Sequence, residues 1–371
     1  MKNLLSIFAI ALLAASCGKS DYKLTADFNN DEENGQKVYL VNYDTGDTID
    51  SVVVTGRRAV FEGSVKDAMV ARLLTAGARA TFILEGGEIE INWEDRVAKG
   101  TALNDSVAKA NEEQANIGHE MEELAQSNLS EDEINKKAED LNNKWLNGLK
   151  AHYENNKKNA FGWWSLYNYM LNNELTLDEM KVLLADAPES YSQSVRINRL
   201  LTAAENVEKT KVGCKMVDFT VKTEDGIETR LSDFVGKGDI VVVDFWASWC
   251  GPCRREASTT LKDIYEKYDG KGLKIIGVAV WDKPEDTFSA IESLSLPWPQ
   301  IINSQNIASD AYGFNVIPHI IIFSGDGTIL SRGLQGDELK AKVDSIMNDG
   351  ALVPIPIHCK SNSKCKINKS V

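Results

Sequence analysis

The chain has no excess of cations: 41 lysines and arginines face 55 acids, a formal net charge of −14 over 371 residues. That deficit argues against nucleic acid as a partner, because phosphate binding needs a basic face. It describes a soluble, self-repelling surface instead. Long apolar runs are scarce as well, and beyond residue 15 no segment is apolar enough to span a bilayer. Cysteine is sparse, six in all, and the pair Cys250/Cys253 has no second C-x-x-C and no paired histidines near it. The four ligands of a structural zinc are therefore not on offer, and no metal or other cofactor is called for. What remains is 43% apolar and 26% charged, the balance of a folded protein with length for two or three domains.

The one marked apolar run covers residues 4–15, is broken only by Ser6 and follows Lys2. It is too short for a stable membrane span and the right length for the core of a secretion signal. It ends in "LAASC" (13–17), which resembles the lipobox of bacterial lipoproteins, with Ala14 where that family usually has leucine. The resemblance implies cleavage before Cys17 and acylation of Cys17. The mature chain would be lipid-anchored in the oxidising periplasm, on the outer membrane rather than the inner. An ordinary signal peptide, with Cys17 incidental, is the alternative. Of the other cysteines, Cys359 and Cys365 flank five residues and could close a small loop. Cys214 is then left single, and burial as a small apolar side chain is its expected fate.

Short alternating runs such as "KVYLV" (37–41), "AVFEG" (59–63) and "EIEIN" (88–92), separated by turn clusters, read as a small antiparallel β-sandwich over residues 24–98. No cluster of His, Cys or carboxylates makes a site there. Over 101–207 the period changes to three and four, with Val107, Ala110, Ile117 and Leu124 on one helix face and a Ser130/Glu133 capping box before a second helix. The aromatics of "FGWWSLYNYM" (161–170) are expected as the core of this helical subdomain; a groove for a partner is the rival reading. From 211 to 348 strands alternate with helices. "DIVVVDFWA" (239–247) is a buried strand whose apolar run is interrupted by Asp244, and Asp326-Gly327 turns a hairpin. Residues 349–371 carry four lysines and, after Asp349, no acid, and read as a basic flexible tail.

"WCGPC" (249–253) stands where a strand passes into a helix. The first cysteine of such a turn sits at the helix N-terminus, where unpaired N–H groups and the helix dipole favour thiolate over thiol. Only the thiolate attacks a disulfide. Cys250 is therefore the expected attacking sulfur and Cys253, one turn inward, the resolving one. A purely structural disulfide is disfavoured, because so short a loop removes little entropy from the unfolded chain.

Together with "VIPH" (316–319) and the strand–helix order, "VVVDFWASWCGPCRRE" (241–256) resembles the TlpA/ResA-like thioredoxin-fold thiol-disulfide oxidoreductases. The resemblance covers roughly 211–348, and the order of segments before it is similar to that of lipoproteins with an N-terminal β domain of uncharacterised role. It implies an α/β thioredoxin fold, with Cys250 and Cys253 as redox pair. Ile317-Pro318 would be the cis-proline that, with Trp249, holds the substrate chain, and Asp244 and Glu256 the two acids of the site. Two positions depart from the pattern. Ser258 stands where thioredoxins usually have a helix-kinking proline, so a kink is expected to be weak or absent. His319 replaces the usual threonine, and could titrate near the sulfurs or simply lie at the surface.

The expected organisation is a lipoprotein signal peptide (1–16), a lipid-attached linker (17–23), the β-sandwich, the helical subdomain, the thioredoxin-like domain and the tail. The expected activity is reduction of protein disulfides, recharged by a membrane thiol donor. A peroxiredoxin-like peroxidase is disfavoured because Ala247 stands where that chemistry needs threonine. A surface binding module on a redox-sensitive base is the non-enzymatic alternative.

Overall fold

Eight short strands, several of them with alternating burial, build the first half of the structure. The computed structural model describes residues 20–223 and 226–348; Cys17, Cys359, Cys365 and the basic tail lie outside the described residues. The strands are β1 (Ser20–Asp27), β2 (Lys37–Asn42), β3 (Thr48–Val53), β4 (Arg58–Val65), β5 (Met69–Leu74), β6 (Arg79–Leu84), β7 (Gly87–Asn92) and β8 (Val97–Lys99). They form two four-stranded sheets, ordered β4-β1-β7-β8 and β3-β2-β5-β6. Leu24, Phe61 and Ile89 from one sheet meet Leu40, Leu73 and Phe82 from the other in a single core. One pairing departs from the antiparallel expectation: β1 and β7 run parallel. Alternation specifies which face a strand buries, not its direction. β7 arrives only after the chain has passed through the other sheet, so no hairpin forces it antiparallel to β1.

Helices α1 (Ala102–Ala125), α2 (Glu131–Asn155), α3 (Ala160–Asn172), α4 (Leu177–Ala185), α5 (Glu189–Ser192) and α6 (Val195–Lys209) follow. Ser130 begins α2 as its spacing predicts, its backbone N–H donating to Glu133 Oε2 at 3.1 Å. Phe161, Trp163, Leu166, Tyr167 and Met170 of α3 are buried, so the aromatic run is core. Phe161 and Trp164 also line a cavity of about 420 Å³, shared with Trp145 and Leu149 of α2. The chain divides into two compact units, Met1–Leu175 with Glu179–Asn198, and Thr176–Asp178 with Arg199–Val371.

In the second unit a short hairpin, β9 (Thr220–Lys222) and β10 (Glu228–Arg230), precedes β11 (Ile240–Trp246). All seven residues of β11 are buried, as its sequence predicts. Then come α7 (Gly251–Glu256), a π-helical turn (Ala257–Leu261), α8 (Lys262–Tyr268), β12 (Leu273–Val280), α9 (Pro284–Leu294) and β13 (Gln300–Gln305). The unit closes with α10 (Ile307–Tyr312), β14 (His319–Phe323), β15 (Ile329–Arg332) and α11 (Gly336–Asn348). The sheet order is β13-β12-β11-β14-β15, with β11, β12 and β13 parallel and β14 and β15 antiparallel. This is a thioredoxin-like fold, with apolar layers on both faces. Val241, Val243 and Phe245 pack on one side with Tyr312, while Ile240 and Val242 pack on the other with Leu261, Ile264 and Leu339.

At Ser258 the sequence leads one to expect a weak or absent kink, and the helix there changes its winding. The π turn interrupts the helix at that point without any proline. Ser258 Oγ and Thr259 Oγ1 donate to the carbonyls of Arg254 and Arg255, four residues back, at 2.7 and 2.8 Å. Such back-bonding competes with the helix ladder.

Candidate active site

Strand β11 delivers the chain to the site from the centre of the sheet. Ser248 and Trp249 make the turn, and Cys250 becomes the N-cap of α7, with Pro252 in the first turn, where its missing N–H costs nothing. Cys250 and Cys253 are joined by a disulfide. Cys250 Sγ accepts the Cys253 N–H at 3.2 Å and lies 3.9 Å from the carbonyl oxygen of Ile317. Ile317-Pro318 is a cis peptide, so the cis-proline loop abuts the outer sulfur. Cys250 is 5% exposed and Cys253 fully buried, so a partner can reach only the first. Trp249 beside them is 62% exposed, its indole N–H donating to the Trp281 carbonyl at 3.1 Å. Ala290 and Ile291 of α9 pack against the cysteine pair together with Trp246.

Asp244 lies two residues before Trp246 on β11, with its side chain on the same sheet face as that indole. It is 1% exposed, and its Oδ1 has no hydrogen-bond partner. Burial pushes its carboxyl up to about 8, and the negative charge of Glu256 adds to the rise. Glu256 is half-buried and turns to accept the Gly336 N–H on Oε1 at 2.7 Å. Of the two neighbouring cations, Arg254 is engaged elsewhere, donating to the Ser248 carbonyl at 3.3 Å.

His319 is neither a titrating neighbour of the sulfurs nor a surface residue. Burial and the adjacent Arg332 cation lower its imidazolium pKa to about 3. The ring stacks on Phe314, with centroids 4.6 Å apart, and faces Phe245. Arg332 Nη2 lies 3.2 Å from Nε2. Since a guanidinium only donates, Nε2 accepts and the neutral ring carries its proton on Nδ1. Cys214 is buried, with Sγ 3.9 Å from the Glu208 carbonyl.

Two residues that hold the site have no signal in the sequence. Asp282, 5% exposed, accepts the Ser248 N–H at 2.7 Å, the Ser248 hydroxyl at 2.9 Å, the Thr287 hydroxyl at 2.9 Å and the Lys283 N–H at 3.0 Å. It ties the turn before Cys250 to the start of α9. Gln300, at the head of β13, accepts the Trp246 indole N–H on Oε1 at 3.0 Å. Glycine at 277 makes room for it, since a Cβ there would come within 2.0 Å of Gln300 Oε1. Among the described residues no three His, Cys, Asp or Glu side chains are grouped to hold a metal ion, and no helix is long and apolar enough to cross a membrane.

A sequence model of the AhpC/TSA family matches residues 212–332, and one of a domain of unknown function, DUF4369, matches 22–107. The thiol-disulfide oxidoreductase ResA of Geobacillus thermodenitrificans is 31% identical over 144 residues, which are 38% of this chain and 81% of that protein. ResA of Geobacillus kaustophilus is 30% identical over 144 residues, with the same coverage. Among solved structures, the thioredoxin domain of a thiol-disulfide oxidoreductase from Bacteroides vulgatus is 31% identical. That likeness covers 37% of this chain and 99% of that one, with a TM-score of 0.34. With four-fifths of such a relative matched at 31% identity, the chain belongs to the ResA-like family of thioredoxin-fold thiol-disulfide oxidoreductases.

Proposed function

We propose that the protein is an exported reductase of protein disulfides, lipid-anchored through Cys17 and working through Cys250 and Cys253. The observation that carries this reading is the asymmetry of the disulfide: one sulfur at a helix N-terminus and within reach, the other fully buried. In the reduced enzyme, the Cys250 thiolate attacks one sulfur of a substrate disulfide. A Cys250–substrate bond forms, the substrate S–S bond breaks, and the first substrate thiolate leaves and takes up a proton. Asp244 then accepts the Cys253 proton, and the new thiolate attacks Cys250 Sγ. The enzyme disulfide closes, the second substrate thiolate leaves, and the proton held on Asp244 passes to it. Two electrons move from enzyme to substrate, and a membrane dithiol donor on the periplasmic side returns them.

In this scheme Trp249, Ile317 and Pro318 form the platform for the substrate chain. The exposed indole and the cis peptide beside Cys250 Sγ support that assignment. Glu256 acts by charge, keeping Asp244 basic enough to take the proton. The Gly-Pro dipeptide is that of thioredoxin, whose potential of about −270 mV lies far below the roughly −120 mV of the oxidant DsbA, and this favours the reducing direction. Ala247, where a peroxidatic cysteine needs threonine, argues against a peroxidase. Insulin reduction measured beside peroxide consumption tests the reading: the expected result is the first activity alone, lost in Cys250→Ser. Peroxide turnover without insulin reduction would overturn it.

A further inference from the structure

Two buried side-chain atoms among the described residues lack a hydrogen-bond partner, Asp244 Oδ1 and Gln300 Nε2. One is an acceptor and the other a donor, and they belong to one neighbourhood. Asp244 pairs in register with Gly277 across the β11–β12 ladder, so the two positions share a sheet face. The Gln300 amide occupies the space over Gly277 on that face. Its orientation is not arbitrary. The Trp246 indole N–H can only donate, so it fixes Oε1 toward itself and leaves the NH₂ group to face elsewhere. Burying an amide and a carboxyl with open valences is costly for each, and a fold does not retain two such groups side by side without cause.

We propose that Gln300 is a positioning residue for proton transfer, its NH₂ group donating to Asp244 Oδ1 through a single bridging water and so holding the carboxyl ready to receive the Cys253 proton. A water is the smallest group that accepts from the amide and donates to the carboxylate at once. The link favours the charged carboxylate, because only that form lacks a proton of its own on either oxygen. It opposes the two influences that disfavour ionisation, burial and the Glu256 charge. The strands flanking Asp244 bring Gly277 and Ile320 into register with it, and neither titrates. Glu256 is the titratable group whose charge acts on it. Gln300 thus lets one buried acid be both a strong base and ionisable at working pH.

This inference rests on Asp244 being the proton acceptor of the proposed reductase, yet it can be tested without turnover. In the unaltered protein, the Asp244 carboxyl carbon and the Gln300 side-chain amide nitrogen should show one shared midpoint when followed by NMR from pH 5 to 10. A Gln300 amide that stays flat through the Asp244 transition would overturn the proposal. Gln300→Met keeps the volume and removes the donor, so the Asp244 midpoint should rise by about one pH unit. That lowers resolution of the mixed disulfide at pH 7 about tenfold, while the first attack by Cys250 keeps its rate. The same substitution in an Asp244→Asn background should change neither rate. An equal loss in that background would show that Gln300 merely supports the fold, and sink the idea. A protein that shows the shared midpoint but fails to reduce insulin would retain the link and lose the reductase reading instead.

Discussion

Asn104 and Asp244 are both buried polar residues, and the two units treat them in opposite ways. Asn104, in the first unit, is fully enclosed and fully paired. Its Oδ1 accepts the Ile83 N–H at 2.9 Å, and its Nδ2 donates to the Ile83 carbonyl at 2.7 Å and to Thr101 Oγ1 at 2.8 Å. It pins the start of α1 to β6 and leaves no valence open. Asp244 is as deeply buried, but has an open acceptor and a carboxyl pushed up to about 8. A satisfied polar group stabilises, and an unsatisfied one costs free energy and stores reactivity. Among the described residues the first unit leaves no buried side-chain atom open, while the second breaks the rule on the sheet face that carries Trp246, which packs against the disulfide. On the proposed reading, that break marks the working site.

The largest effect should come from the sulfur that the second unit exposes. Cys250→Ser should reduce insulin turnover to background, and Cys253→Ser should instead accumulate a mixed disulfide, seen as a mass increase on a trapped peptide. Next comes the carboxyl. Asp244→Asn should slow resolution about a hundredfold, the usual reach of general base catalysis, and should stabilise the domain. The sign follows from linkage. Between about 4 and about 8 the folded state holds a proton on Asp244 that the unfolded chain has released. The wild type therefore loses on the order of 1.4 kcal/mol per pH unit across that window, as pH rises. The melting temperature of the Asn variant should exceed that of the wild type by several degrees at pH 8, and the gap should close toward pH 4. A gap that widens on acidification would reverse the assignment. Glu256→Gln should act more weakly and in a different sense, lowering the Asp244 midpoint by removing a neighbouring negative charge.

How much of this was legible beforehand depends on sequence separation. Cys250, Cys253 and Asp244 could be read because each betrays itself locally, two by their spacing at a strand–helix turn and one by polarity inside an apolar strand. Cis Ile317-Pro318 was legible through the family resemblance alone. Asp282 and Gln300 were not, because their partners Ser248 and Trp246 lie 34 and 54 residues away, and nothing in a single sequence pairs them. The parallel β1–β7 pairing escaped for the same reason. The π turn escaped for another. Proline is the irregularity signal a sequence displays openly, whereas Ser258 and Thr259 bond back to helix carbonyls through hydroxyls that look like ordinary surface residues.

A change in the first unit sharpens the contrast from the other side. Asn104→Ala leaves the Ile83 N–H and C=O without their partner, and should destabilise that unit by about 2–4 kcal/mol. Turnover on a model disulfide at 25 °C should stay within twofold of wild type, provided the protein is folded by circular dichroism. A large loss of turnover in a folded Asn104→Ala protein would mean that the N-terminal unit takes part in exchange, and the division drawn between the two polar residues would fail.

The smallest effect is expected at His319, and it tests whether proximity to the sulfurs is enough to make a group functional. Its Nε2 is engaged by Arg332 and its ring is stacked on Phe314, so neither that nitrogen nor the ring face is left open to the sulfurs. With the folded pKa lowered to about 3, the ring is neutral across the whole working range and cannot shape a rate profile there. His319→Asn should therefore leave the pH dependence of exchange between pH 5 and 9 unchanged. Stability should respond instead, at lower pH. Between about 3 and 6.5 the unfolded chain binds a proton at His319 that the folded state refuses, so wild-type stability falls as pH falls through that window. The Asn variant should lack this slope, and its denaturation midpoint should converge on that of the wild type near pH 4 after starting below it at pH 7. If the substitution moved the exchange profile near neutral pH, the imidazole would have to be charged in the working enzyme, and the accounting of satisfied and unsatisfied groups would no longer separate structure from chemistry.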